Sequence, residues 1–330
     1  MHVWIKKAWK QISELMAQGP ARRTFNILVI VISLGFISYA VYANWNALKA
    51  HKWEINYLYI VLSIVLYPLG MVPTVTAWHK LLEALGVQMP FSQNLRIYSL
   101  SLLPRHIPGL VWYVSSRTLM YKEKGVSAGF VLTATAVEIF LHAVTGFLVS
   151  TLLLLLGTAT LELYSALRFI IPMALLLVVG LVFSPFVLNR LVALIVKRWK
   201  VDQAPTIQRG SLIACLLWLL AAWSGGGLLL FLLVRGFSPV AWSYFPVMIG
   251  IWGMASSIGL TIGIGISGMG LREITLGALL SLVIPPITAV VVAVAFRLVL
   301  TIGEFIWVFI FVWLTKTVPR KHGERTEDST

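Results

Sequence analysis

Long apolar runs alternate with short basic clusters along this chain, and the alternation outlines most of its architecture. Runs at 25–42, 56–78, 127–156, 169–188, 211–234 and 287–314 each approach the roughly 20 apolar residues that a helix needs to cross hydrocarbon. Two further apolar stretches are interrupted. The stretch 94–120 carries Pro104, Arg105, His106 and Pro108, and the stretch 241–284 is broken by GIGISGMGLRE at 263–273, which sets glycines, Arg272 and Glu273 between two apolar halves. Hydrocarbon penalises both a charge and an interrupted helix, so such backbone survives only inside protein or against a wet cavity. The pattern predicts an all-α polytopic membrane protein with about six full spans plus two broken re-entrant helical pairs.

Basic residues order these spans across the bilayer. Arg22 and Arg23 precede the first run, His79 and Lys80 follow the second, Arg190, Lys197, Arg198 and Lys200 follow the fourth, and Lys316, Arg320 and Lys321 follow the last. Both termini are therefore expected in the cytoplasm of a cell-membrane protein. The stretch 94–120 has basic flanks on both sides, which predicts that it enters, breaks near 104–108 and returns. Pro108 suits the first position of the returning half-helix, since its missing N–H would have had no partner there. Parity then sends the second broken segment in from the outside. Span, span, broken pair and a long span with buried ionisable groups recur in both halves, which predicts an inverted-topology repeat of 25–156 against 169–315, joined by an outer loop at 157–168.

The ends are read separately. Trp4, Ile5, Ala8, Trp9, Ile12, Leu15 and Met16 recur at helical spacing opposite Lys6, Lys7 and Lys10, so 1–24 is expected to lie as an amphipathic helix on the cytoplasmic interface. The run 25–42 is long enough to span and lacks a clear small-residue cleavage site, so it reads as a retained span. The polar tail 316–330 is expected to be disordered.

Composition removes several function classes. With 59% hydrophobic and 12% charged residues and a mean hydropathy of +0.89, this is no soluble domain. A net charge of +14 raises the possibility of nucleic acid, but the basic residues sit beside apolar spans, where they set topology and meet anionic headgroups. Cys215 is the single cysteine, which excludes a disulfide framework and a thiolate metal cluster. No nucleotide motif or cofactor signature is present, so transport would be downhill, gradient-coupled or driven by a partner.

The candidate chemistry gathers at the two breaks. Arg105 and His106 precede the half-helix that begins at Pro108 and Gly109, whose free N–H groups favour an anion. Ser267 is placed to cap a second half-helix, with Gly268 and Gly270 letting backbone approach a phosphate. Arg272, beside Glu273, adds a fork of donors suited to phosphate oxygens. Arg117 reads first as a topology anchor and second as a ligand. Glu138 and His142, four apart on one helix face, leave open a structural pair, a proton relay or half a metal site. Arg297 and Glu304 share a face two turns apart and need other partners. Pairing of Arg105 with Glu138 and of Arg272 with Glu304 would make these residues a structural lock instead of a transport site. Gly225, Gly226 and Gly227 would permit close helix packing or a kink.

PRHIPGLVWYVSSRTLM at 104–120, Glu138, SGMGLRE at 267–273, and Arg297 with Glu304 resemble the transmembrane region of lysylphosphatidylglycerol synthases. That region also stands alone in flippase-like membrane proteins. The resemblance implies a transporter that moves an anionic or aminoacylated phospholipid, or a polyprenyl-phosphate-linked sugar, between leaflets, with membrane lipids and envelope lipid or glycan enzymes as partners. These residues hold no counterpart of the aminoacyl-transfer domain, so translocation without synthesis is the expectation. A non-transporting scaffold for envelope enzymes is the alternative. A more remote one is an intramembrane serine protease, because Gly265, Ile266, Ser267 and Gly268 read GxSG; the histidine such proteases carry downstream has no counterpart here but His322 in the tail. The chain is read as not an enzyme.

Overall fold

In a computed structural model the described residues are 53–106, 110–157, 208–266 and 270–316, with positions 42, 49 and 190. Among them the chain forms helices and no strand. The amphipathic segment 1–24, residues 25–41 of the first run, residues 158–168 of the expected outer loop, the run 169–188 and the tail beyond Lys316 lie outside the described residues, and the inverted repeat rests partly on those two runs.

Helix α1 is Tyr57–Val65, started by the Asn56 side chain, which accepts from the Leu58 N–H at 3.2 Å. Helix α2, Tyr67–Ala84, follows after a single turn residue, with Pro68 in its first turn, where a missing N–H is harmless. Together they make one apolar unit long enough to cross a membrane. The unit stops at Gly86 (φ +88°), which adopts the left-handed conformation a glycine tolerates. Gly86 N–H donates to Glu83 O and Val87 N–H to Leu82 O, a double closure of the last turn. Gly125 (φ +82°) repeats the device after α4.

The first broken stretch forms two short helices. Helix α3 is Phe91–Ser101, a 3-10 turn covers Leu103–His106, and α4 is Leu110–Lys122. At 11 and 13 residues these arms rise about 16 and 20 Å, short of a crossing each. Helix α5, Ala128–Gly157, α6, Arg209–Phe237, and α9, Pro286–Lys316, are each of spanning length.

The second broken stretch departs from expectation. Helix α7, Phe245–Ile266, continues through Gly263 and Gly265 and rises about 33 Å, enough to cross by itself. Helix α8, Leu271–Leu280, is a half-length arm of 10 residues. Glycines inside a packed helix weaken it by about 1 kcal/mol each without ending it, so the break is narrower than the expected 263–273 and lies within it. It falls after Ile266.

Helix α6 is the central post, packed on α1, α2, α5, α7 and α9. Gln208 N–H donates to Ala84 O at 2.8 Å, and Asn56 N–H donates to Gly236 O at 2.9 Å, so α6 runs antiparallel to the α1–α2 unit and is tied to it at both ends. The close packing expected of the three glycines is present, and α6 runs through them unbroken. A Cβ on Gly225 would lie 3.3 Å from the Gly70 Cα, and one on Gly227 only 2.6 Å from the Ile249 Cα.

Candidate functional site

The first polar cluster is built where α3, α4 and α5 meet α2. Asn94, Tyr98 and Ser101 recur on one face of α3, and Tyr113, Arg117 and Tyr121 on one face of α4. Packing those faces together encloses Arg117 completely, at 0% exposure. Its Nη1 donates to Glu138 Oε2 at 2.5 Å, its Nη2 donates to the Tyr113 hydroxyl, and Nε reaches Ser101 Oγ at 3.5 Å, the outer limit of a hydrogen bond. The guanidinium carbon lies 4.2 Å from the Trp78 ring centre, 4.5 Å from Tyr98 and 4.3 Å from Tyr113. All three nitrogens are engaged and the faces are covered by rings.

Two expectations are corrected here. Arg117 is not the exposed topology anchor expected of a flanking basic residue, because its guanidinium is fully enclosed in protein. Glu138 pairs with Arg117, not with Arg105. The backbone of Arg105 and His106 closes the 3-10 turn, while their side chains, Pro108 and Gly109 lie outside the described parts. His142 meets Glu138 only through the backbone, with Nδ1 3.1 Å from the Glu138 carbonyl oxygen, and its ring stands edge-on to Trp223 at 6.0 Å. The crevice between Glu138, His142, Trp78 and Cys215 is too narrow for a water molecule.

A directed chain of hydrogen bonds leads away from this cluster. Trp78 Nε1 donates to the Tyr121 hydroxyl at 2.8 Å, which donates to Asn94 Oδ1 at 2.8 Å; Asn94 Nδ2 lies 2.7 Å from His79 Nδ1, and His79 Nε2 lies 3.2 Å from Glu83. Since the amide nitrogen can only donate, His79 Nδ1 must accept, and the proton of the neutral ring sits on Nε2 toward Glu83.

The second cluster lies where α7, α8 and α9 meet. Glu273, 7% exposed, takes Arg272 Nη2 at 3.0 Å and Arg297 Nη1 at 3.2 Å on Oε1, while its Oε2 accepts the Gly270 N–H at 2.9 Å. That last bond satisfies one of the free donors at the start of α8; Gly270 (φ +90°) has no side chain to return it. Arg272 packs its Cβ near Gly259, where an added Cβ would approach to 3.1 Å, and faces the Trp252 ring at 5.7 Å. The expected pairing of Arg272 with Glu304 is thus replaced by Glu273 holding both arginines. Glu304 is buried on α9 at 8% exposure, two turns from Arg297. Ser267 and Gly268 lie outside the described residues.

The clusters differ in charge and access. One guanidinium meets one carboxylate at Arg117, so that cluster is formally neutral and sealed. Two guanidiniums meet one carboxylate at Glu273, which leaves one formal positive charge, with the Arg272 and Arg297 side chains 24% and 30% exposed. Residues 26–307, which include both clusters and both breaks, match the family model described as the lysylphosphatidylglycerol synthase TM region. The chain belongs to that family. Among curated proteins none matches. Membership of the lysylphosphatidylglycerol synthase TM family and the apolar helices together make this a multi-pass membrane protein. The Arg117 cage of Trp78, Tyr98, Ser101 and Tyr113 was not singled out from sequence, although the spacing of polar and aromatic residues on one face of α3 and of α4 carried the signal.

Proposed function

We propose that this chain carries a phosphate-bearing lipid between the leaflets of the cell membrane, with the Glu273, Arg272 and Arg297 cluster as its phosphate site. The observation that supports this reading is the surplus guanidinium charge at a helix break in an otherwise apolar protein. A lone arginine at bilayer depth costs at least about 2.5 kcal/mol, so an unmatched one calls for an anion. Arg272 and Arg297 each bring one nitrogen to Glu273, and their other nitrogens make no hydrogen bond among the described residues. Those donors suit the oxygens of a phosphodiester. Glu273 divides its oxygens, one on the arginines and one on Gly270, so a phosphate drawing the arginines away leaves the start of α8 capped.

The shared chemistry covers an anionic or aminoacylated phospholipid and a polyprenyl-phosphate-linked sugar alike. The reading is of a carrier and not of a catalyst. Its test is transbilayer movement of fluorescent phosphatidylglycerol in vesicles reconstituted with purified protein. Arg272→Gln and Arg297→Gln, with Arg105→Gln at the other break, should remain folded and lose movement, and Arg272→Lys should recover part of it, since a point charge cannot reproduce the planar fork. Movement at the wild-type rate in both cluster variants would refute the phosphate site, and a wild-type protein that binds envelope enzymes but moves no lipid would favour the scaffold.

A further inference from the structure

Arg235 occupies the last turn of α6, at the end tied by Gly236 to Asn56. The opposite end of the bundle, where Ala84 meets Gln208 and Tyr121 reaches Trp78, is the basic one, with Lys80, Lys122 and Lys124. Positive charge marks the cytoplasmic face, which sets Arg235 at the outer one.

The side chain sits in a box of rings. Its guanidinium carbon is 4.7 Å from the Trp242 ring centre, 4.8 Å from Tyr59 and 5.8 Å from Phe231. Around it Tyr57, Trp242 and Tyr244 are 71%, 60% and 44% exposed, the aromatic rim expected where a membrane protein meets the headgroup layer. No carboxylate bridges Arg235 among the described residues. Nη1 is enclosed against the rings without an acceptor, and Nε and Nη2, also without one, remain accessible. The negative end of the α6 dipole favours a cation here, but a lysine reaching water would serve that purpose. What the dipole leaves unexplained is a planar cation held by three rings with its outer donors idle.

The geometry points to Arg235 as a docking site for the phosphate of a lipid headgroup at the outer membrane surface. The rings fix the guanidinium plane and exclude water from one edge, and the open edge presents Nε and Nη2 as a parallel pair of donors at the spacing of two phosphate oxygens. This site is separate from the Glu273 cluster: Gly259, which packs on Arg272, is 14 residues along α7 from Phe245, about 21 Å of helix rise. It requires only that the rim lie at a membrane surface and is independent of whether the protein transports.

Native mass spectrometry of the purified full chain, delipidated in non-ionic detergent and titrated with short-chain phosphatidylglycerol, tests it. Separate arms use a diacylglycerol of the same chains and inorganic phosphate. One retained phosphatidylglycerol should weaken by about tenfold or more in Arg235→Gln, the loss expected for charged hydrogen bonds, and by less in Arg235→Lys. Diacylglycerol should not be retained, and inorganic phosphate at the same concentration should not displace the lipid. Equal retention by wild type and Arg235→Gln overturns the site. Should the Gln variant aggregate, the Lys variant decides, because wild-type retention there means that the fork is not engaged. Equal retention of diacylglycerol, or displacement by inorganic phosphate, overturns the headgroup assignment.

Discussion

Replacing Glu138 by Gln tests whether the Arg117 cluster holds the bundle together. The substitution keeps the shape of the side chain and removes its charge, which leaves a guanidinium that cannot deprotonate at 0% exposure. Removing one partner of a buried ion pair costs about 3–5 kcal/mol. The three rings around Arg117 remain, each worth about 0.5–2 kcal/mol to a cation, so the expected loss is at the lower end, about 3 kcal/mol. An ordinary hydrogen bond between membrane helices averages about 0.6 kcal/mol, so the two accounts are well separated. Unfolding by SDS in mixed micelles, followed by helical circular dichroism, provides the measurement. The double replacement Arg117→Met with Glu138→Leu removes both charges and should return to within about 1 kcal/mol of wild type, since an apolar pair of similar volume commonly replaces a buried ion pair without loss. A Glu138→Gln loss near 0.6 kcal/mol, or a double variant no more stable than the single, would sink the argument.

Two further outcomes follow from packing and topology. Gly227→Ala places a methyl 2.6 Å from the Ile249 Cα and should cost about 1–3 kcal/mol in the same titration, whereas Gly210→Ala, with open space around it, should be near neutral; equal stability of the two would show that α6 and α7 are not in close contact. In protein with Cys215 replaced by Ser, cysteines at Glu83 and Lys122 should react with an impermeant maleimide from one face and a cysteine at Ser238 from the other, and labelling of Glu83 and Lys122 from opposite faces would refute the return of the 94–120 stretch.

The apolar periodicity made the described spans legible, because hydrocarbon leaves a helix little choice about its length. The break between α3 and α4 was legible from Pro104 and Pro108, since proline acts on backbone locally. The end of α7 was not, because Gly263 and Gly265 lower helix stability by an amount that packing overrides. Ion pairing was the least legible level. Arg105 and Arg117 are both within reach of a helix carrying Glu138 in one dimension, and the choice between them depends on which face of α4 turns toward α5. That choice was written in Tyr113 and Tyr121, spaced to enclose Arg117 from its own helix. Arg297 and Glu304 share a face two turns apart and so needed other partners, but the sequence did not say which, and it is Glu273, arriving from α8, that takes Arg297.

The two arginine clusters differ in the number of donors left over, and the proposed function rests on that difference. Arg117 spends all three nitrogens on protein oxygens and both faces on rings, and the crevice beside its partner admits no water, so an incoming anion would have to break the cluster to reach it. Arg272 and Arg297 share one carboxylate oxygen between them and keep unbonded nitrogens at a partly open break, so an anion can be added without dismantling anything. A sealed, neutral pair suits a fixed pivot, since low dielectric makes the pair strong only while it stays whole. An open, positive pair suits a ligand that must also leave, because the carboxylate already present competes for both arginines and keeps the anion's hold from becoming permanent. Under the proposed function, this division gives rigidity to the Arg117 pair and exchange to the Glu273 cluster, with anion selectivity resting on α8 and α9.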